Sequence, residues 1–180
     1  MENQINNGVN NYIMARPYVR GKFLFVNNEK FYVKGVTYGT FEPDDTGSQF
    51  PESAVVEKDL TMMLLNGVNC MRTYTVPPKY LLDLAQSLNI KVMVGLPWEQ
   101  HITFMDKPGN RLSIISRVSK DVINCKQHPA ILCYTIGNEI PANIVRWYGK
   151  ERIERFLRQL YNEVKKADQG SLVTDRKSVV

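Results

Sequence analysis

The chain has 180 residues, 43% of them hydrophobic and 23% charged, a balance that excludes intrinsic disorder and suits one folded domain. The net charge of +5 is scattered rather than gathered into a stripe. With no aromatic-lined basic patch and no apolar run near the ~20 residues of a membrane span, the sequence excludes a nucleic-acid module and a transmembrane segment.

Residues 1–20 read as a flexible lead-in. Met1–Asn11 is Asn-rich and lacks the charged-then-apolar pattern of a signal peptide, so a cytoplasmic location is expected. Lys22–Val26 and Lys30–Lys34 then flank Asn27, Asn28 and Glu29, which predicts a hairpin with Asn at the positive-φ positions. Gly35–Tyr38 finishes a first parallel strand. Pro51 and Glu52 open a helix that runs to Asn66, with Gly67 placed as its C-terminal glycine.

Val68–Tyr74 is the second strand. Pro77 and Pro78 start a helix whose Tyr80, Leu81, Leu84, Ala85 and Leu88 recur at 3.6-residue spacing. Lys91–Leu96, a helix over Asn110–Lys126, Ile131–Ile136 and a helix over Lys150–Ala167 continue the rhythm, and Leu172–Thr174 begins a fifth strand. In that last helix Lys150, Arg152, Arg155, Arg158, Lys165 and Lys166 interleave with Glu151, Glu154 and Glu163, as a solvated face does. Alternation at roughly 30 residues per unit predicts a parallel α/β sheet with crossover helices. An open doubly wound sheet and a closed (β/α)8 TIM barrel both fit, but no Gly-rich phosphate loop follows any strand to favour the open form.

Cys70 and Cys133 lie in apolar runs and read as buried free thiols of a reducing compartment. His101 and His128 stand alone without ligand spacing, so no metal and no organic cofactor is expected.

In both architectures chemistry collects at the carboxyl ends of the strands. Those ends read Thr37-Tyr38-Gly39, Arg72-Thr73-Tyr74-Thr75, Pro97-Trp98-Glu99-Gln100-His101 and Gly137-Asn138-Glu139. Packing alone does not favour such a set. Glu139 follows an apolar strand and precedes Ile140-Pro141, where partial desolvation suits a carboxylate to general acid work.

Phe31–Tyr38, Gly67–Tyr74 and Gly137-Asn138-Glu139, in that order, resemble the retaining β-glycosidase clan, especially the (β/α)8-barrel catalytic domain of glycoside hydrolase family two. The resemblance covers 22 to about 174. It implies a TIM barrel truncated after about four βα units and preceded by the short hairpin, with 21–174 as its N-terminal half. It further implies that Glu139 is the acid/base, that Asn138 binds the sugar 2-hydroxyl, and that Arg72 lies beside the nucleophile. Trp98 would offer an apolar face to a sugar ring, with Glu99 and His101 on the same loop, and Tyr38 and Tyr74 complete the substrate-binding set.

A retaining mechanism needs a second carboxylate about 5–5.5 Å from the first. In the clan it is a Glu ending the seventh strand, to which no residue here corresponds. A barrel of about 250 residues is only half covered, so the chain by itself is expected to be inactive and marginally stable. Asp175–Val180 breaks the strand pattern and resembles the translated start of a sequencing adapter, so 175–180 is expected to be an artefactual tail.

The expected function is hydrolysis of O-glycosyl bonds in a β-linked oligosaccharide or polysaccharide. Three alternatives stand beside it. Arg72–Pro78 also resembles β-1,3-glucanosyltransferases, which implies transglycosylation on the same barrel. The barrel could be a non-catalytic saccharide-binding unit joined to a glycosyltransferase module. The last is an open α/β binding domain in which Glu139 is incidental.

Overall fold

The computed structural model describes residues 16–176 except 46 and 108. Most of the expected lead-in (1–15) and the end of the expected tail (177–180) lie outside the described residues.

The first three strands, β1 (Tyr18–Arg20), β2 (Phe23–Val26) and β3 (Glu29–Lys30), form an antiparallel sheet. Asn27 and Asn28 take φ of 50° and 65° in its second turn, the left-handed geometry that asparagine tolerates. Tyr18–Arg20, expected in the lead-in, is instead paired with β2 in the register Tyr18↔Phe25. The rings of that pair stack at 5.3 Å, a cross-strand contact that fixes the register.

The main body is a parallel sheet of β4 (Gly35–Thr37), β5 (Cys70–Thr73), β6 (Lys91–Gly95), β7 (Ile131–Asn138) and β8 (Val173–Arg176), in that spatial order. Crossovers are supplied by α1 (Ser53–Leu65), α2 (Lys79–Ser87), α3 (Asn110–Cys125) and α5 (Lys150–Ala167). The order of a closed barrel's first strands is thus observed, and among the described residues β4 and β8 each pair on one side only. Strand β8 runs two residues past Thr174, pairing Asp175 with Gly137 and Arg176 with Asn138, so the ladder enters the segment expected as a tail.

Helix α1 stops as its sequence requires. Gly67 adopts φ of 75°, its N–H donates to Leu64 O at 2.9 Å, and Val68 N–H donates to Met63 O at 3.0 Å. This closing pair satisfies carbonyls that the helix end would otherwise orphan. One further helix, α4 (Ala142–Tyr148), has no counterpart in the sequence reading. Seven residues are too few for periodicity to show; only Ile144 and Tyr148, four apart, turn inward.

Two apolar clusters hold these layers. On the helix side Met71, Val92, Val94, Tyr134 and Ile136 meet Val56, Leu60, Leu81 and the α5 row Ile153, Phe156, Leu160 and Val164. Each such side chain, once buried, contributes about 1.5–3 kcal/mol. On the opposite face Cys70, Leu132 and Cys133 are covered by Val26 and Phe31 of the antiparallel sheet. That sheet therefore closes the N-terminal ends of the parallel strands and leaves their carboxyl ends open. Cys70, Cys125 and Cys133 are all free and buried, and burial pushes their thiols up to about 11, 11 and 12, which makes them inert.

Asp168, at the end of α5, is buried and accepts from both Arg16 nitrogens, at 2.6 and 2.9 Å, from Tyr134 OH at 3.2 Å and from Gln127 N–H at 3.3 Å. Burial alone pushes its carboxyl up; the bonds from Arg16 and Gln127, the Arg16 charge and the Tyr134 bond outweigh that and hold it below its ordinary value. Folded Asp168 therefore binds fewer protons than unfolded Asp168 near its unfolded value of about 3.9. Its contribution is fully present above that pH and is lost as pH falls through the folded value. The expected outcome is that urea midpoints at pH 7 and pH 3 differ more for the wild type than for Asp168→Asn. Parallel pH curves for the two proteins would remove Asp168 from the acid limb.

Candidate active site

Strand parity decides which residues reach the open end. Thr37 registers with Arg72 and Arg72 with Met93, so these three share the inner face of the sheet. Tyr38, one residue on, faces the other way. It is 6% exposed, donates its hydroxyl to Asp59 Oδ2 at 2.8 Å and packs edge-on against Phe41. The structure thus places Tyr38, expected among the substrate-binding residues, in the contact between β4 and α1 and not among the residues that line the cleft described below.

Arg72 is buried at the end of β5. Its Nη2 donates to Asn138 Oδ1 at 2.7 Å, and its guanidinium lies 4.5 Å over the Tyr74 ring. Because arginine can only donate, the Asn138 carboxamide must turn its oxygen to Arg72 and keep its N–H2 for another partner. Gly95 permits this close approach of β6 to β5: a Cβ there would sit 2.5 Å from Thr73 O and 2.6 Å from Tyr74 O. Arg72, Tyr74, Trp98, Gln100, His101 and Asn138 together line a cleft of about 230 Å³ at the carboxyl ends of β5, β6 and β7.

Within that set Trp98 is largely enclosed. It is 7% exposed, donates Nε1–H to Ile136 O at 2.7 Å, and meets Phe104 and Phe156 edge-to-face at 4.8 and 5.3 Å. The indole is part of the core and shows the cleft only a margin. Glu99 is also displaced from the expected site. It pairs with Arg117 of α3, which holds its carboxylate below the ordinary range, and it lines a separate shallow hollow of about 600 Å³ beside that helix. A tight turn, with Gln100 N–H donating to Trp98 O at 2.8 Å, sends Glu99 outward and its neighbour inward.

That neighbour, Gln100, is the residue the sequence reading passed over. It is 8% exposed and its Oε1 accepts from the Asn138 backbone N–H at 2.7 Å. Thr135, on the cleft floor, is likewise new; its buried hydroxyl has no hydrogen-bond partner among the described residues. The stretch Pro97–His101 carried the signal for Gln100, but nothing local distinguished it from Glu99.

Glu139 follows directly. β7 ends at Asn138, and Glu139 takes φ of 56°, a left-handed conformation uncommon outside glycine and concentrated at functional sites. A register shift between Thr135 and Gly137 precedes it, the kind of bulge that re-aims a strand end. The side chain is exposed, so the desolvation expected for it is not supplied by the described residues. Among the described residues lining the cleft there is no carboxylate, and none form a group of three metal-ligating side chains.

Comparison with known proteins bears on the family and the fold. The family model described as "Glycosyl hydrolases family 2, TIM barrel domain" matches residues 18–179. A β-galactosidase of Arthrobacter sp. (strain B7) is 30% identical over 128 residues, which are 66% of this chain and 12% of that protein. Among solved structures, the β-glucuronidase of Parabacteroides merdae superposes with a TM-score of 0.74 at 20% identity, over 90% of this chain and 20% of that one. The β-glucuronidase of Dictyoglomus thermophilum gives 0.66 at 21% identity, over 89% and 28%. The chain thus spans only a small part of the length of the relatives it matches.

Proposed function

The chain belongs to the glycosyl hydrolase family 2 TIM barrel domain, and from that premise we propose that it supplies one wall of the cleft of a retaining glycosidase acting on a β-linked saccharide. Glu139 is the acid/base: it protonates the glycosidic oxygen as the bond breaks, then takes a proton from the water that releases the sugar. Asn138 donates from its carboxamide nitrogen to the sugar 2-hydroxyl, an interaction that strengthens as oxocarbenium character develops. Arg72 orients that amide and places positive charge where an ionised nucleophile is needed. The nucleophile itself comes from the part of the barrel that follows β8.

The observation that carries this reading is the 2.7 Å bond from Arg72 to Asn138. It joins two strand ends 66 residues apart and leaves a donor one residue before Glu139. The test is the first-formed anomer, followed by proton NMR, when the whole protein that carries this domain cleaves 4-nitrophenyl β-galactoside or β-glucuronide. The expected first product is the β-anomer. An α-anomer first, or no cleavage of any β-glycoside, sinks the reading.

A further inference from the structure

The last backbone bond of the β6–β7 ladder at the open end runs from Leu96 N–H to Thr135 O, at 3.0 Å. Strand β6 has ended at Gly95, yet β7 continues to Asn138 with β8 as its only strand partner there. The Asn138 N–H has therefore outrun its neighbour on the β6 side. An amide donor left unpaired in so covered a place is costly. Gln100 takes the missing strand's place: its side-chain oxygen accepts that N–H at 2.7 Å.

We propose that Gln100 is a positioning residue for the Asn138–Glu139 pair, a role that rests on the glycosidase reading above. Three features make it specific. The bond grips the backbone of the residue immediately before the left-handed turn at Glu139, so it sets where that turn begins. The Asn138 carboxamide is gripped separately by Arg72, so its side chain is held from β5 and its backbone from the loop after β6. And because the Gln100 oxygen is committed inward, its N–H2 end is the polar group it can offer the cleft it lines. An acceptor oxygen is the essential feature; the amide nitrogen is secondary for positioning.

This separates Gln100→Met, which keeps the volume and removes the acceptor, from Gln100→Glu, which keeps it. In the whole protein that carries this domain, hydrogen exchange of the Asn138 amide is expected to speed up about tenfold in Gln100→Met and to stay near wild type in Gln100→Glu. In the whole protein, Gln100→Met is expected to lower kcat about 10²-fold with little change in KM, the size of effect a misplaced reacting group produces, and Gln100→Glu to restore most of it. Unchanged Asn138 exchange in Gln100→Met overturns the proposal. So does an active wild type whose kcat is indifferent to Gln100→Met, or a Gln100→Glu that is as slow as Gln100→Met. A wild type that cleaves no β-glycoside, with the exchange result intact, overturns the glycosidase reading and the catalytic part of this role with it, leaving a structural brace.

Discussion

Glu139→Ala, made in the whole protein, is expected to lower turnover of alkyl β-glycosides by about 10²–10⁴-fold, the usual worth of a positioned general acid. Glycosides with good leaving groups, such as 2,4-dinitrophenyl, need no protonation and should keep a fast first step. Their release step then lacks its base. Added azide, which attacks without one, is expected to restore turnover and yield a β-glycosyl azide. Because Glu139 is exposed, the substitution should change stability by less than about 0.5 kcal/mol. An equal loss for both leaving-group classes, with no response to azide, would remove Glu139 from the acid/base role. A large loss of stability would instead assign it to structure.

The second large effect is on folding. Trp98→Ala is expected to destabilise the chain by about 3–5 kcal/mol, the range for deleting a large aromatic from a core. The indole sits between Phe104 and Phe156 and carries a buried bond to Ile136 O. Its loss opens a cavity beneath α5 and leaves that carbonyl without its donor. Domains are stable by only about 5–15 kcal/mol, so much of the available stability is lost in one step. Trp98→Phe should recover most of the packing and leave the carbonyl's share missing. Urea unfolding of the three proteins measures this. A sugar-stacking Trp98 predicts the reverse: near-normal stability and weakened saccharide binding.

The two effects separate residues that the sequence presents alike. Trp98 and Glu139 both stand at strand ends, among polar and aromatic neighbours. One is fixed by three core contacts, and the other is held out on a left-handed backbone beyond the last paired residue. Nothing in either residue's immediate sequence states which.

Much of the fold was nonetheless legible. Apolar periodicity located α2, because a helix must turn one stripe inward and the stripe repeats every 3.6 residues; α1 was marked by Pro51, Glu52 and Gly67, and α5 by its interleaved charges. Asn27-Asn28 and Gly67 marked their turns because few residues accept positive φ there. Arg72 and Asn138 were both read at strand ends, and the structure brings Nη2 of one to Oδ1 of the other at 2.7 Å. The resemblance of Phe31–Tyr38, Gly67–Tyr74 and Gly137-Asn138-Glu139 to glycoside hydrolase barrels pointed to the family that the match over 18–179 shows.

What the sequence could not determine was which way each strand-end side chain faces. Alternation is local, but its phase is set by the neighbours across the sheet and by bulges such as those after Val92 and Thr135. So Tyr38 turned to α1 rather than to the cleft, and Glu99 turned to Arg117 while Gln100 turned in. The burial of a side chain depends in the same way on segments distant in the chain: Trp98 is enclosed by Phe156, and Glu139 has no such cover. The sequence by itself determined the order of the elements and the types of residue at their ends, because both follow from short-range periodicity and backbone chemistry. Only the tertiary structure decided which of those residues converge, because that is a property of strand parity and of contacts across dozens of residues.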